Sequence, residues 1–138
     1  MKTHKDSEKT VKVIAGKFNS TEGPVNKHNV HPLYFDVVLN KDKIFDFNLP
    51  ETHNSFIYLI NGELEIGEKK HKQVKDSTLI LLSKGKELRV KAKSNSKFLI
   101  ISGKPINEKI ARGGPFVMNT KAEILQAVQD YHNGTFVK

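Results

Sequence analysis

From Thr10 to about Gly103 the chain reads as one short strand after another. Val11-Lys12-Val13-Ile14-Ala15 alternates and stops at Gly16, and Ile44-Phe45-Asp46-Phe47-Asn48-Leu49 alternates and stops at Pro50. This period of two marks a strand with one face in a core. Leu33–Leu39 is rich in aromatic and β-branched residues, with Asp36 interrupting it. Ser55–Ile60 is nearly continuous in apolar content, which suits a strand buried on both faces. Asn61-Gly62 predicts a hairpin into Leu64-Glu65-Ile66, because a tight primed turn needs positive φ at both central residues. Thr78–Leu82, Glu87–Lys93 and Phe98–Ile101 complete the series. Glu87, Arg89, Lys91 and Lys93 share one strand face, which reads as solvated rather than as a polyanion site. About nine to eleven such strands predict an all-β, antiparallel sandwich or small barrel.

The pattern changes after Pro105. Gly113-Gly114-Pro115 predicts a turn. Thr120 and Glu123 then have the spacing of a capping box, in which each side chain satisfies an orphan amide of the first helical turn. Ile124, Leu125, Val128 and Tyr131 form one apolar stripe, and Asn133-Gly134 supplies the stop. The expectation is an amphipathic helix over 120–132 within a single domain spanning 10–138, preceded by a polar tail over 1–9.

Composition narrows the chemistry. With no cysteine there is no disulfide framework, thiolate zinc site, iron–sulfur cluster or cysteine nucleophile. The longest apolar runs, Phe56–Ile60 and Leu79–Leu82, fall far short of the ~20 residues of a membrane span. The first dozen residues are charged and have no signal-peptide core. A cytoplasmic protein without a membrane partner is therefore expected. The formal charge is +8, yet of 23 basic residues only Arg89 and Arg112 are Arg. Arg is the usual reader of phosphate and base edges, and no aromatics interleave with the lysines, so nucleic acid is not the expected partner.

Gly114-Pro115-Phe116-Val117-Met118-Asn119-Thr120, followed by Glu123-Ile124, Gln126-Ala127 and Asp130-Tyr131, resembles the C-terminal signature of the pirin family. Val13-Ile14-Ala15-Gly16, Gly23-Pro24-Val25, Pro50 with His53-Asn54, Ile57-Tyr58 with Gly62, and Gly103–Glu108 agree in order, so the resemblance covers about residues 11–134. Pirins are bicupins, and these residues resemble only the second cupin. The resemblance implies a cupin-type β-sandwich. It also implies that iron, three His and one Glu ligands, and quercetin oxidation belong to a first cupin outside these residues.

The general cupin pattern, Gly-x5-His-x-His-x3–4-Glu-x6-Gly followed by Gly-x5-Pro-x-Gly-x2-His-x3-Asn, can be laid on this chain. Anchored on Gly62, it puts Ser55 at the Glu position and the two His positions at or beside Leu49 and Glu51. Anchored on Gly85, it puts Ser77, Ser83, Leu88 and Ala92 where the second motif has Gly, Pro, His and Asn. A metal site needs three or four converging N or O ligands, so no metal, cofactor or catalytic residue is assigned. The alternative is a relocated site from His28, His31, Glu51 and His53, which would serve a quercetin 2,3-dioxygenase-type reaction. Otherwise His28, His31 and His53 read as solvated loop residues. His71 lies among lysines, His4 lies in the tail, and His132 suits the negative end of the helix. Asp36 needs a partner or solvent. Phe116 and Met118 read as core or interface. The expected partner is a second copy, forming a homodimer, or a separately encoded metal-binding cupin.

Overall fold

A computed structural model describes residues 2–25, 29–67 and 72–137 of the chain. The chain divides into two compact units, Met1–Pro105 and Ile106–Lys138.

The first unit is a β-sandwich. One sheet has six strands: β1 (Lys2–Lys5), β2 (Lys9–Ala15), β5 (Leu33–Leu39), β12 (Ser96–Gly103), β7 (Asn54–Asn61) and β10 (Thr78–Leu81), in that spatial order. The other has four: β6 (Ile44–Asn48), β11 (Glu87–Ala92), β8 (Glu63–Ile66) and β9 (Lys72–Lys75). Every pairing in both is antiparallel. These ten strands sit within the expected range. A small ribbon, β3 (Lys17–Phe18) with β4 (Thr21–Glu22), lies beside them.

Alternation places the core between the sheets. Val11, Val13, Phe35, Val37, Ile57, Leu59, Phe98 and Ile100 from one sheet meet Phe45, Leu64, Leu88, Val90 and Ala92 from the other in one buried cluster. Phe18, Phe35, Phe45, Phe47 and Phe98 interlock there, with neighbouring ring centroids 5.0 to 6.4 Å apart. Each fully buried phenylalanine contributes about 1.5–3 kcal/mol by removal from water.

Two local expectations change. The segment expected as a tail forms β1, which pairs with β2 from Lys2↔Val13 to Lys5↔Thr10. Asp6 turns the chain between them, its Oδ1 accepting from the amides of Glu8 and Lys9 at 2.8 Å each. An edge strand made of polar and charged residues carries no apolar alternation to announce it. The Asn61-Gly62 hairpin is also replaced. β7 pairs with β12 and β10, and β8 pairs with β11 and β9, so Gly62 carries the chain from one sheet to the other. Gly62 has φ 100° and Asn61 is not in the left-handed region, so the two positive φ values of a primed turn are not present.

In the second unit β13 (Ala111–Gly113) and β14 (Phe116–Met118) form a hairpin, followed by α1 (Lys121–His132). Thr120 and Glu123 form the capping box. After the helix, Gly134 at φ 70° lets the amides of Gly134 and Thr135 reach the carbonyls of Tyr131 and Asp130, a Schellman closure. The buried helical residues are Ile124 and Ala127, whereas Leu125 of the expected stripe is 71 % exposed.

Candidate functional site

A cavity of about 320 Å³ is lined by Phe47, Leu49, Ile66, Leu82 and Leu88, with Asp46, Glu87 and Arg89 also contributing. Strand pairing holds these residues in place: Phe47 lies opposite Leu88, and Asp46 opposite Arg89, whose Nε is 3.8 Å from Asp46 Oδ1. The Leu49 amide donates to the Lys86 carbonyl at 2.8 Å, tying the end of β6 to the start of β11. Leu49 and Leu88 occupy two places where the cupin pattern would put histidine. A hydrocarbon side chain offers no lone pair, so neither of these two places can supply a metal ligand.

The third ligand place, Ser55, belongs to a polar cluster. Its hydroxyl donates to Ser102 Oγ at 2.9 Å, and Ser102 Oγ lies 3.1 Å from His53 Nδ1. His53 is 8 % exposed and Ser102 is 2 % exposed, so His53 is a buried residue and not the solvated loop histidine the sequence pattern predicted. Ser102 Oγ thus links the Ser55 hydroxyl to the imidazole of His53. Burial holds the His53 pKa below 6.5, and the charges of His31, Lys84 and Lys104 push the same way. Lys84 Nζ donates to the carbonyls of Thr52 and His53 at 3.2 and 2.9 Å and to Asn54 Oδ1 at 2.8 Å. The cluster therefore closes the loop between β6 and β7. Ser102 is too deeply buried to attack a substrate. Sequence reasoning missed Ser102 and Lys84; the available signal for Ser102 was its place in the inward-facing row Ser96, Phe98, Ile100, Ser102 of β12.

Of the relocated-site candidates, His31 is near enough to His53 for its charge to act on that imidazole. Glu51 lies 3.9 Å from Lys86 Nζ and is largely exposed, His31 is exposed at φ 44°, and His28 and His71 lie outside the described residues. Among the described residues no group of three or more His, Asp or Glu side chains is placed to hold a metal. Asp36 is matched by Lys97, whose Nζ lies 3.7 Å from Oδ2, while Oδ1 is buried with no hydrogen-bond donor among the described residues.

The signature residues build the second unit. Gly114 at φ 54° and Pro115 are the two turn residues between Gly113 and Phe116. A Cβ on Gly113 would come within 2.4 Å of Ile124 Cγ2, so this position lets the helix approach the hairpin. Asn119 Nδ2 donates to Glu108 Oε2 and the Lys109 carbonyl, at 2.9 and 2.8 Å. The Thr120 amide donates to Glu123 Oε2 at 2.7 Å, and hydrogen bonds from Thr120 and the Asn119 amide lower the Glu123 pKa. Phe116 and Met118 are half-buried, and Phe116 packs against Tyr131 and Phe136 with centroids 6.1 and 5.0 Å away. Val117, between them, is exposed.

Residues 34–137 match the pirin C-terminal cupin domain. The chain belongs to this family. A pirin-like protein of Caulobacter vibrioides is 32 % identical over 96 % of this chain and 47 % of its own length. Human pirin is 33 % identical over 90 % of this chain and 43 % of its own. Among solved structures, a quercetin 2,3-dioxygenase from Acinetobacter baumannii superposes with a TM-score of 0.81 and 31 % identity, over 96 % of this chain and 45 % of that one. This pirin C-terminal cupin domain thus spans somewhat less than half the length of each of these relatives. Among the described residues no helix is long and apolar enough to cross a membrane.

Proposed function

We propose that these residues act in the cytoplasm as a metal-free binding and interaction module whose partner is another cupin, in the first instance a second copy of the same chain. The observation that carries this reading is the cavity with Leu49 and Leu88 at ligand positions. A cupin with hydrocarbon at two of its four ligand places can bind and pack without performing the oxygen chemistry that the resemblance ties to a first cupin. The alternative partner is a separately encoded metal-binding cupin.

The test is elemental analysis after anaerobic incubation with ferrous iron and other divalent metals, followed by desalting and an aerobic flavonol assay. The expected result is less than one metal per ten chains and no flavonol loss above the free-metal control. One metal per chain with turnover that His53→Ala abolishes would overturn the reading in favour of a dioxygenase. Light scattering tests the pairing: a two-chain mass is expected in the micromolar range.

A further inference from the structure

We infer that the cavity walled by Leu49 and Leu88 binds a small, neutral aromatic molecule of one or two rings; this names a ligand class for the metal-free binding reading above, and rests on it. The walls come from strand ends that meet at one end of the sandwich. Leu49 follows β6, Ile66 closes β8, Leu88 lies near the start of β11, and Leu82 follows β10 of the opposite sheet. Leu49 and Leu88 are 7 and 5 % exposed, whereas Phe47, Ile66 and Leu82 are half-buried against the same core. Water in a recess with such walls finds few hydrogen-bond partners, so an apolar guest displaces it readily.

The cavity is also held open. The Leu49 amide donates to the Lys86 carbonyl at 2.8 Å, and the Leu82 amide to the Ser55 carbonyl at 3.0 Å. Between them, the three hydrogen bonds of Lys84 Nζ tie this segment to Thr52, His53 and Asn54. The wall over 82–86 is thus fixed at both ends and in the middle, and a preformed wall spares a ligand the cost of ordering it.

Size, lining and charge narrow the guest. About 320 Å³ lies at the lower end of the roughly 300–1,000 Å³ of small-molecule pockets, which suits one or two rings rather than a large cofactor or a peptide. The Phe47 ring in the wall favours an aromatic partner. Arg89 has Asp46 3.8 Å away, and Glu87 is a second lining carboxylate, so the described residues leave no excess positive charge to hold an anion. Asn48 and Ser83, which also line the cavity, offer polar atoms to one hydroxyl or N–H of the guest.

The experiment is methyl NMR at neutral pH on the full chain labelled at Ile and Leu, titrated with 1-naphthol, with 1-naphthoate as the anionic counterpart and with 1-decalol as the saturated one. The expected result is saturable shifts at Leu49, Ile66, Leu82 and Leu88 with a 1-naphthol dissociation constant below about 1 mM, and binding weaker by about ten-fold or more for the other two compounds. Gly85 lines the cavity, and a Cβ there meets nothing within 4 Å. Gly85→Phe should therefore fold with unchanged melting and weaken 1-naphthol binding about ten-fold; Leu82→Asn, which puts an amide into the same wall, should weaken it as well. Equal affinity for 1-naphthoate or 1-decalol overturns the ligand class. No saturable shift, or shifts as large at the exposed Leu79 and Leu125 as at the four wall residues, overturns the site. Either failure leaves the metal-free pairing reading standing, because elemental analysis and light scattering decide that reading without any organic ligand.

Discussion

Ser102 Oγ lies 3.1 Å from His53 Nδ1, so a strand residue and a loop residue 49 positions apart share one buried hydrogen bond. His53 is nearly enclosed and its pKa is held below 6.5. In the unfolded chain the same imidazole takes up a proton more readily. Stability therefore rises with pH between the lowered folded pKa and the unfolded value of about 6.5, and acidification through that window removes it. The urea midpoint should fall between pH 7 and about pH 5, and His53→Asn should flatten that part of the profile. A wild-type slope matched by His53→Asn would refute the role.

Removing the partner tests the same bond from the other side. Ser102→Ala leaves His53 Nδ1 buried without its partner and takes away the partner of the Ser55 hydroxyl. The expected loss is about 1–3 kcal/mol by denaturant unfolding. A loss below about 0.5 kcal/mol would mean that water or a rotated imidazole satisfies the group.

Gly62 is the crossing between the sheets, and it has no room for a side chain. A Cβ there would lie 2.3 Å from Ser96 Oγ and 2.7 Å from Ser96 Cα, at a φ of 100°. Ser96 cannot swing clear, because its hydroxyl bonds the carbonyls of Glu63 and Ser94 and receives the Glu63 amide. Gly62→Ala should cost about 1–3 kcal/mol or more, read as a lower urea midpoint with unchanged slope. An unchanged midpoint would show that the corner relaxes.

Much of this was legible in the chain. Strict alternation in Ile44–Leu49 and the Ser/Thr-x-x-Glu spacing at Thr120 are local signals, and local hydrogen bonding or one-sided burial suffices to produce what they predict. Three features were not legible, each because its cause is distant in sequence. β1 owes its place to pairing with β2 and to the ring of His4 against Phe18 at 5.2 Å. Gly62 looks the same in a hairpin as in a sheet crossing, and Ser96 decides between them. The loop reading of His53 failed because Ser102 and Lys84 enclose it. The same distance limit applied to the site: lining up Leu49 and Leu88 with ligand places needed only the sequence, but their meeting in one cavity needed the fold.

The helix cap offers a local test in the second unit. Thr120 Oγ1 accepts from the Glu123 amide at 3.2 Å. Thr120→Ala removes that acceptor and should cost about 1 kcal/mol, whereas Thr120→Ser should cost little. Amide hydrogen exchange over Lys121–Ile124 should rise in the alanine variant and not in the serine variant. Equal protection in both would show that packing of Ile124 under Gly113, rather than the cap, holds the first turn.

Asp36 poses a competition that magnitudes can decide. Its Oδ2 lies 3.7 Å from Lys97 Nζ, with the carboxylate about one-fifth exposed and the lysine about two-fifths. A partly exposed pair of this length contributes about 0–1 kcal/mol. Against it stands Oδ1, buried with no donor among the described residues, a burden of about 1–3 kcal/mol. Leucine at this position would remove both effects and lie beside Leu99, its register neighbour. Asp36→Leu should therefore leave the single chain unchanged or stabilised by about 1 kcal/mol, with Lys97 free to extend into solvent. A loss greater than about 1 kcal/mol would mean that the carboxylate has a donor beyond Lys97, and the ion pair would then rank among the contacts that hold β5 to β12.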